Sequence, residues 1–170
     1  MKYTRKYNSP IGLLTLASDG DSLTGLWIEG QAYFPKIDQT VLKKDDLPIF
    51  HETISWLETY FQGENPGFIP PISLKGTEFR KQVWNVLAEI PYGELITYGE
   101  IARQVSQNKN GKYVSPRAVG GAVGHNPISI IIPCHRVIGV DNRLTGYAGG
   151  LDVKIKLLEY EKIDSSRYRR

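Results

Sequence analysis

A cysteine, a histidine and an arginine stand side by side in the sequence as Cys134, His135 and Arg136. Cys134 is the only cysteine among 170 residues, and a lone cysteine is most often a small buried apolar residue. Its neighbours favour a reactive cysteine instead, because histidine and arginine beside a thiol both stabilise the nucleophilic thiolate. Lowering a thiol pKa by about 1.5 from its ordinary ~8.5 increases the thiolate fraction at neutral pH about tenfold. We therefore predict a nucleophilic Cys134 with a lowered pKa.

His135 is the candidate base that takes the thiol proton. In extended backbone, consecutive side chains point to opposite faces, so we expect a water molecule to link His135 to Cys134. Such a base needs a carboxylate to orient it, and the C-terminal segment offers Glu159, Glu161 and Asp164. The residues alone leave the choice among these three open.

The composition excludes several classes of protein. One cysteine and three separated histidines give no zinc-ligand spacing, so we expect no structural metal, and one cysteine permits no internal disulfide. No segment approaches the ~20 apolar residues of a membrane-spanning helix, and residues 1–6 are not followed by a signal-peptide core. The sequence therefore predicts an intracellular, cytoplasmic protein with no membrane partner.

The charges are distributed unevenly along the chain. The formal net charge is only +3. Residues 1–76 carry 7 Lys+Arg and 9 Asp+Glu, whereas residues 77–170 carry 14 Lys+Arg and 9 Asp+Glu. A polyanionic partner therefore belongs to the second half.

The first half has the pattern of a small α/β unit. Two apolar runs, at residues 12–17 and 23–28, flank a turn-like Ser-Asp-Gly-Asp and predict an antiparallel hairpin. Residues 48–62 predict a helix that ends at Gly63, with an apolar stripe of Phe50, Ile54, Leu57 and Phe61. Residues 63–76 are rich in proline and glycine and predict a linker. We place the domain boundary there, between residues 1–76 and 77–170.

The second half predicts three helices with recognisable first residues. Thr77 caps a helix whose apolar stripe runs from Phe79 to Ile90. Residues 97–100 are a capping box that begins a second helix, and Ser115-Pro116 begins a third. The last two, joined by a polar loop at residues 106–114, predict a helix-turn-helix. The apolar residues 130–132 predict a strand that leads into the Pro-Cys-His-Arg turn.

The third of these helices contains adjacent glycines, Gly120 and Gly121. A glycine inside a helix costs about 1 kcal/mol relative to alanine. One explanation is tight packing or a bend within the protein. The other is close approach of a partner to the helix backbone, where Arg117 is the only long side chain. A nearly bare helix with one arginine suits a narrow groove better than the reading of base edges in a wide one.

Several segments of the second half keep a specific order and spacing. They are Arg-Ala-Val-Gly-Gly-Ala at 117–122, Asn-Pro at 126–127, Ile-Pro-Cys-His-Arg-Val at 132–137 and Gly-Tyr-Ala-Gly-Gly-Leu at 146–151. With residues 76–84, they strongly resemble the O(6)-alkylguanine-DNA alkyltransferases over residues 77–161. The first half resembles the family more weakly, through residues 9–12 and 23–26.

This resemblance implies an α+β fold. It consists of a small N-terminal α/β domain with an antiparallel, ribonuclease H-like sheet and a helical C-terminal domain with a winged helix-turn-helix. It also implies direct DNA repair, by irreversible and stoichiometric transfer of the alkyl group from O(6)-alkylguanine, and from O(4)-alkylthymine, to a cysteine. The damaged nucleotide would flip out through the minor groove, the thioether product would consume the protein, and no cofactor would be needed.

The family's catalytic and DNA-binding roles carry over residue by residue. Cys134 would be the acceptor, His135 the water-linked base and Glu161 the residue that orients it. Tyr98 would crowd the target phosphate and donate a hydrogen bond to the guanine. The remaining DNA contacts implied are Arg117, which would fill the space of the extruded nucleotide, and Ala118 and Gly120, which would permit close approach.

The resemblance also implies a substrate pocket. Tyr147 would line one wall, the Val137 backbone would read the exocyclic amine, the Ala148 amide would face the alkylated oxygen, and Lys154 would lie nearby. Asn126 would be a structural brace. Ala148 replaces a serine found in some members, which matters little for a backbone contact. The N-terminal zinc site of some members cannot exist here because it requires cysteine.

Three alternatives share part of this pattern. A cysteine hydrolase would have the Cys/His pair but no need of a glycine-bearing helix in a basic half. A transcription regulator would have the helix-turn-helix, yet this recognition helix offers almost no side chains that read bases. An alkyltransferase-like protein that binds lesions without repair would lack the cysteine. We therefore expect double-stranded DNA bearing alkylated guanine as the partner of a protein that is monomeric when free and clusters on DNA.

Overall fold

The computed structural model describes Met1–Arg170, and its N-terminal half contains a four-stranded sheet. The predicted hairpin is confirmed, because its two strands pair in antiparallel fashion. The Asp19 carboxylate accepts the amides of Asp21 and Ser22 and closes the turn between them. A short edge strand pairs in parallel with the first strand, and all other pairs are antiparallel. The strands are β1 (Tyr3–Ser9), β2 (Gly12–Ser18), β3 (Leu23–Ile28) and β4 (Leu42–Lys43), in the order β3-β2-β1-β4.

Helix α1 (Pro48–Phe61) packs on this sheet and begins with proline in its first turn. The predicted stripe is only partly correct, since Phe50 and Leu57 are fully buried whereas Ile54 and Phe61 are half-buried. Trp56 and Tyr60 complete the buried face instead. The buried face of the helix therefore includes Tyr60, which reaches the site described below.

Three helices of the second half begin where their caps predict. The hydroxyl of Thr77 accepts the Arg80 amide at the start of α2 (Glu78–Ala88). The capping box of Thr97 and Glu100 is present at the start of α3 (Tyr98–Asn108). Ser115 caps α4 (Pro116–Gly124), with Pro116 in the first turn. Helices α3 and α4 pack against each other and form the predicted helix-turn-helix.

The strand predicted at residues 130–132 is wrong. These residues form consecutive turns, and Ile130 has a φ of +72°. The segment is apolar because it is buried, and its backbone bonds to local groups, including the Asn126 side chain, instead of to a sheet. Cys134–Arg136 then form a single 3₁₀ turn, so this backbone is not extended as we had expected. The chain continues into β6 (Val137–Ile138), which pairs in parallel with β5 (Ile96–Thr97).

One hydrophobic core joins the two halves. A cluster of 30 buried residues includes Leu14 and Leu26 from the sheet together with Val83 and Ile132 from the second half. The final helix, α5 (Leu151–Tyr160), contributes Leu157 to it. The loop that carries Cys134 is therefore packed between the N-terminal sheet and the helices. None of the helices is long and apolar enough to cross a membrane.

Candidate active site and nucleic-acid interface

Asn126 holds the loop that carries Cys134. Its side-chain amide donates to the carbonyl of Ile132 at 2.7 Å, and its side-chain oxygen accepts the amide of Ile128 at 3.0 Å. These two bonds close the turns around Ile130, whose positive φ is unfavourable for a β-branched residue. Asn126 therefore fixes the path of the chain two residues before the cysteine.

The structure corrects the predicted ionisation of Cys134. The side chain is only 5% exposed, and burial raises the pKa of its thiol. The charge of Lys154 and the side chains of Asn126 and Tyr147 act in the opposite direction without overcoming it. Arg136 does not stabilise the thiolate as predicted, because its guanidinium bonds to Glu161 and to the carbonyl of Ile90, both at 2.7 Å. Cys134 is therefore a thiol at rest and needs a base.

Glu161 is the carboxylate that contacts His135, and the other two candidates lie elsewhere. Glu159 and Asp164 are exposed and accept hydrogen bonds from serines of the C-terminal segment. Glu161 is buried at the C-terminal end of α5, and its two oxygens accept four donors from three other parts of the chain. These are the imidazole of His135, the hydroxyl of Tyr60 at 2.8 Å, the guanidinium of Arg136 at 2.7 Å and the amide of Gly93 at 2.9 Å.

This network determines which nitrogen of His135 carries the proton. Burial alone would raise the pKa of Glu161, but its contacts with His135 and Arg136 outweigh this effect and lower the pKa to about 2, so the carboxylate only accepts. His135 must therefore donate from Nε2. Burial lowers the pKa of His135, so the ring is neutral at pH 7 and its Nδ1 is a free acceptor. Nδ1 is buried and has no protein hydrogen-bond partner. His135 is thus prepared to take a proton from a donor on the side away from Glu161.

Tyr60 is a site residue that the sequence did not reveal. It lies on α1, 75 residues before His135, and its ring is fully buried. Its hydroxyl donates to the same Glu161 oxygen that contacts His135 and lies 3.3 Å from Nε2 of that histidine. In the sequence, Tyr60 looks like one more apolar position of an amphipathic helix. Only the docking of the two halves gives it a polar contact at the site.

Other predicted pocket residues gather around the loop after Cys134. Lys154 is fully buried, and its ammonium donates to the carbonyls of Val137 at 2.6 Å and Thr145 at 3.2 Å. Burial lowers the pKa of Lys154 to about 8. The hydroxyls of Tyr98 and Thr145 lie 2.8 Å apart. Tyr98 thus connects the helix-turn-helix to this loop.

Tyr147 and Ala148 form the next part of the same loop. The Tyr147 hydroxyl is buried near Cys134, and burial, followed by the effect of Cys134, raises the pKa of Tyr147 well above the ordinary value. The carbonyl of Ala148 accepts the amide of Ala32, which lies after β3 of the N-terminal half. Both halves of the chain therefore fix the loop.

The exposed surface of α4 is almost bare. Arg117, Ala118 and Gly121 face solvent, while Val119, Ala122 and Val123 are buried against the core. A side chain added at Gly121 would meet no atom within 4 Å, so packing inside the protein does not explain this glycine. Gly120, the glycine expected to permit close approach, is half-buried and faces the ring of Tyr98. The surface that could admit a partner is therefore formed by Arg117, Ala118 and Gly121.

We expect the Glu161 network to make the protein sensitive to acid. The pKa of Glu161 is lowered from 4.5 to about 2, so its contribution is complete above pH 4.5 and is lost as the pH falls toward 2. The contribution amounts to about 3 kcal/mol. His135 acts in the same direction, because a histidine whose pKa is lowered from 6.5 resists protonation in the folded state. Urea unfolding should therefore show a free energy that declines steadily below pH 6.5, and a constant value between pH 7 and pH 3 would contradict this prediction.

Comparison with known proteins identifies the family to which this chain is similar. Residues 78–163 match the family model of the 6-O-methylguanine DNA methyltransferase DNA binding domain, and residues 2–74 match that of its ribonuclease-like domain. Among curated relatives, a Haemophilus influenzae methylated-DNA–protein-cysteine methyltransferase is 47% identical over 162 residues, which span 95% of this chain and 87% of the relative. The Methanosarcina acetivorans protein of the same name is 45% identical and spans 94% of this chain and 97% of the relative.

Solved structures agree with this placement. Mycobacterium tuberculosis OGT in complex with DNA has a TM-score of 0.82 and 43% identity, covering 98% of this chain and 95% of that one. An O6-methylguanine DNA methyltransferase from Methanococcus jannaschii has a TM-score of 0.65 and 28% identity, covering 94% of both chains. The protein therefore belongs to the 6-O-methylguanine DNA methyltransferase family, and the fold expected from the resemblance is confirmed.

Proposed function

We propose that this protein repairs DNA by transferring the alkyl group of O(6)-alkylguanine to Cys134, and that each molecule acts once. The observation that carries the proposal is that His135, which follows Cys134 in the chain, is a neutral base oriented by a buried carboxylate and has a free ring nitrogen. The family relationship supplies the substrate class, since relatives at 45–47% identity are named methylated-DNA–protein-cysteine methyltransferases. Double-stranded DNA that contains the alkylated base is the partner.

The transfer balances without a cofactor. The Cys134 proton passes to Nδ1 of His135 through a water molecule, and Glu161 stabilises the resulting imidazolium. The thiolate forms a bond to the alkyl carbon as the bond from that carbon to the guanine oxygen breaks. The departing guanine takes a proton, for which Tyr98 is the proposed donor, and the proton held by His135 then passes through solvent to Tyr98, so that both residues end neutral. The thioether has no easy hydrolytic or reductive exit, so the cysteine is not regenerated.

The burial of Cys134 supports nucleotide flipping. A sulfur that is 5% exposed cannot reach an atom inside a base-paired stack, so the target base must come to the sulfur. Arg117, on the exposed face of α4, is the proposed side chain that enters the minor groove and replaces the extruded nucleotide. Ala118 and Gly121 leave the helix backbone free to approach the groove, and Gly120 does so to a smaller extent because it faces Tyr98.

The flipped base would bind between the loop that carries Cys134 and α3. We assign Tyr147 to one wall, the Val137 carbonyl to the exocyclic amine and the Ala148 amide to the alkylated oxygen. Lys154 supports this arrangement, because its bonds to the carbonyls of Val137 and Thr145 hold two sides of the loop together. Asn126 acts as a brace through its two bonds to the loop.

We further propose that O(4)-alkylthymine is a second substrate. We also propose that the free protein is a monomer that clusters on DNA and that it acts in the cytoplasm. Residues 1–76 and 77–170 are proposed as domains that share one core.

Mass spectrometry tests the proposed reaction directly. The protein is incubated with an excess of duplex that contains one O(6)-methylguanine, and the intact mass and a peptide digest are measured. We expect the mass of one methyl group per molecule, located on Cys134, with no further product after the first equivalent. Continued turnover, or a methyl group on another residue, would refute the proposal. An undamaged duplex of the same sequence is the control and should leave the mass unchanged.

A further inference from the structure

The C-terminal segment pairs with the loop that follows β6. The amide of Arg169 donates to the carbonyl of Asn142 at 2.9 Å, and the carbonyl of Arg169 accepts the amide of Leu144. Arg169 therefore bonds on both sides of Arg143, and the two arginines form a parallel β-bridge. Residues paired in this way direct their side chains to the same face.

That face is the outer one. Leu144, the neighbour of Arg143, is 4% exposed and packs in a small cluster with Ile138 and Leu158. Tyr168, the neighbour of Arg169, packs against the same cluster. Because side chains alternate along extended chain, burial of these two neighbours directs Arg143 and Arg169 outward. Both arginines are exposed.

This pairing of like charges is unfavourable in the free protein. Like charges directly opposite each other on paired strands repel and lower stability. Two nearby arginines have acidic partners, since Arg167 lies 3.7 Å from Asp164 and Arg170 lies 3.7 Å from Asp152. Arg143 and Arg169 form no ion pair. The bridge thus holds two unneutralised guanidinium groups on one face, where an anion would relieve their repulsion.

Arg143 and Arg169 lie close to the proposed DNA-binding surface. Thr145, two residues after Arg143, bonds to the hydroxyl of Tyr98, whose ring faces Gly120 of α4. The loop from Gly139 to Thr145 therefore lies beside the helix-turn-helix. Arg169 lies beyond residue 163, where the match to the family's DNA binding domain ends. The family relationship therefore assigns no role to this arginine.

We propose that Arg143 and Arg169 together form a binding site for a backbone phosphate of the duplex, next to the surface that receives the lesion. This inference rests on the proposed function for the identity of the polyanion. The C-terminal segment acts as an added strand that presents Arg169 beside Arg143. The small cluster of Ile138, Leu144 and Leu158 holds the segment in place. The site contributes to binding of any duplex and plays no part in the chemistry at Cys134.

Salt-dependent DNA binding tests the site. The double variant Arg143→Ala/Arg169→Ala should bind an undamaged duplex about tenfold more weakly at low salt. The slope of log K against log salt concentration should be less steep by about 1, since the two arginines share one phosphate contact and each such contact contributes about 1. Transfer from the free base O(6)-benzylguanine to Cys134 should be unchanged, because that substrate has no phosphate. The thermal midpoint should stay the same or rise as the repulsion disappears.

A matched variant separates this site from a general effect of charge. Lys2→Ala/Lys43→Ala removes two positive charges from exposed positions of the N-terminal half and should leave the salt slope nearly unchanged. An unchanged slope in the arginine variant, or an equal change in the lysine variant, would overturn the inference. The proposed function is judged separately, by whether the unaltered protein takes one methyl group from damaged duplex.

Discussion

Cys134→Ala should abolish alkyl transfer and leave binding to duplex DNA intact. No other cysteine exists in the chain to act as acceptor, and the thiol is buried, whereas the face of α4 that we assign to DNA is exposed. The alanine side chain is smaller by one sulfur, so the buried site loses packing but gains no unpaired polar group. Intact mass should show no added methyl group after long incubation with methylated duplex, while gel-shift affinity should stay within about twofold.

Arg117→Ala changes the face that we propose to bind DNA. It should leave alkyl transfer to Cys134 intact and impair the repair of duplex. The thiol and the relay of His135 and Glu161 are untouched, so transfer from free O(6)-benzylguanine should proceed at the normal rate. Repair of a lesion in duplex should slow by about 10- to 100-fold, because the variant loses the group that compensates unstacking of the flipped base. Normal repair of duplex by this variant would contradict the role proposed for Arg117.

The helices were predictable because their signals are local. The hydroxyls of Thr77, Thr97 and Ser115 each accept the backbone amide three residues ahead, so a short stretch of sequence contains both partners. The turn after β2 is closed in the same local way by Asp19. Order along the chain also sufficed for the family resemblance, since its strongest motifs lie within residues 76–151.

The chemistry of the cysteine was not predictable from its neighbours. The sequence suggested that Arg136 stabilises the thiolate, but its guanidinium bonds to Glu161, which lies about 25 residues later. His135 remains the proposed base, and its bond to Glu161 leaves the other ring nitrogen free. The apolar run at residues 130–132 indicated a strand, although its pattern reflects only burial. Tyr60 belongs to the other half of the chain and reaches Glu161 across about 100 residues. Such contacts are set by docking of the two halves, which no local pattern records.

Glu161→Gln should both destabilise the protein and slow alkyl transfer severely, because a carboxylate with four donors cannot be replaced by an amide. Glutamine has one acceptor oxygen and one NH₂ group. If the oxygen faces His135 and Tyr60, the NH₂ group meets the donors of Arg136 and Gly93. Removing the charge also leaves the buried Arg136 without its counter-ion, at a cost of about 3–5 kcal/mol. The thermal midpoint should fall by about 10 °C.

The opposite orientation of that glutamine would damage the chemistry more directly. An NH₂ group facing Nε2 forces His135 into the tautomer that carries its proton on Nδ1, so the nitrogen meant to accept the thiol proton is blocked. In either orientation no negative charge remains to stabilise the imidazolium, and transfer should slow by about 10²–10⁴-fold, the usual contribution of a general base. Tyr60→Phe is the control that separates charge from hydrogen bonding, since it removes one donor from Glu161 and keeps the carboxylate. It should cost only about 1 kcal/mol. An equally slow Tyr60→Phe variant, or a Glu161→Gln variant that transfers at the normal rate, would mean that His135 does not depend on the Glu161 charge.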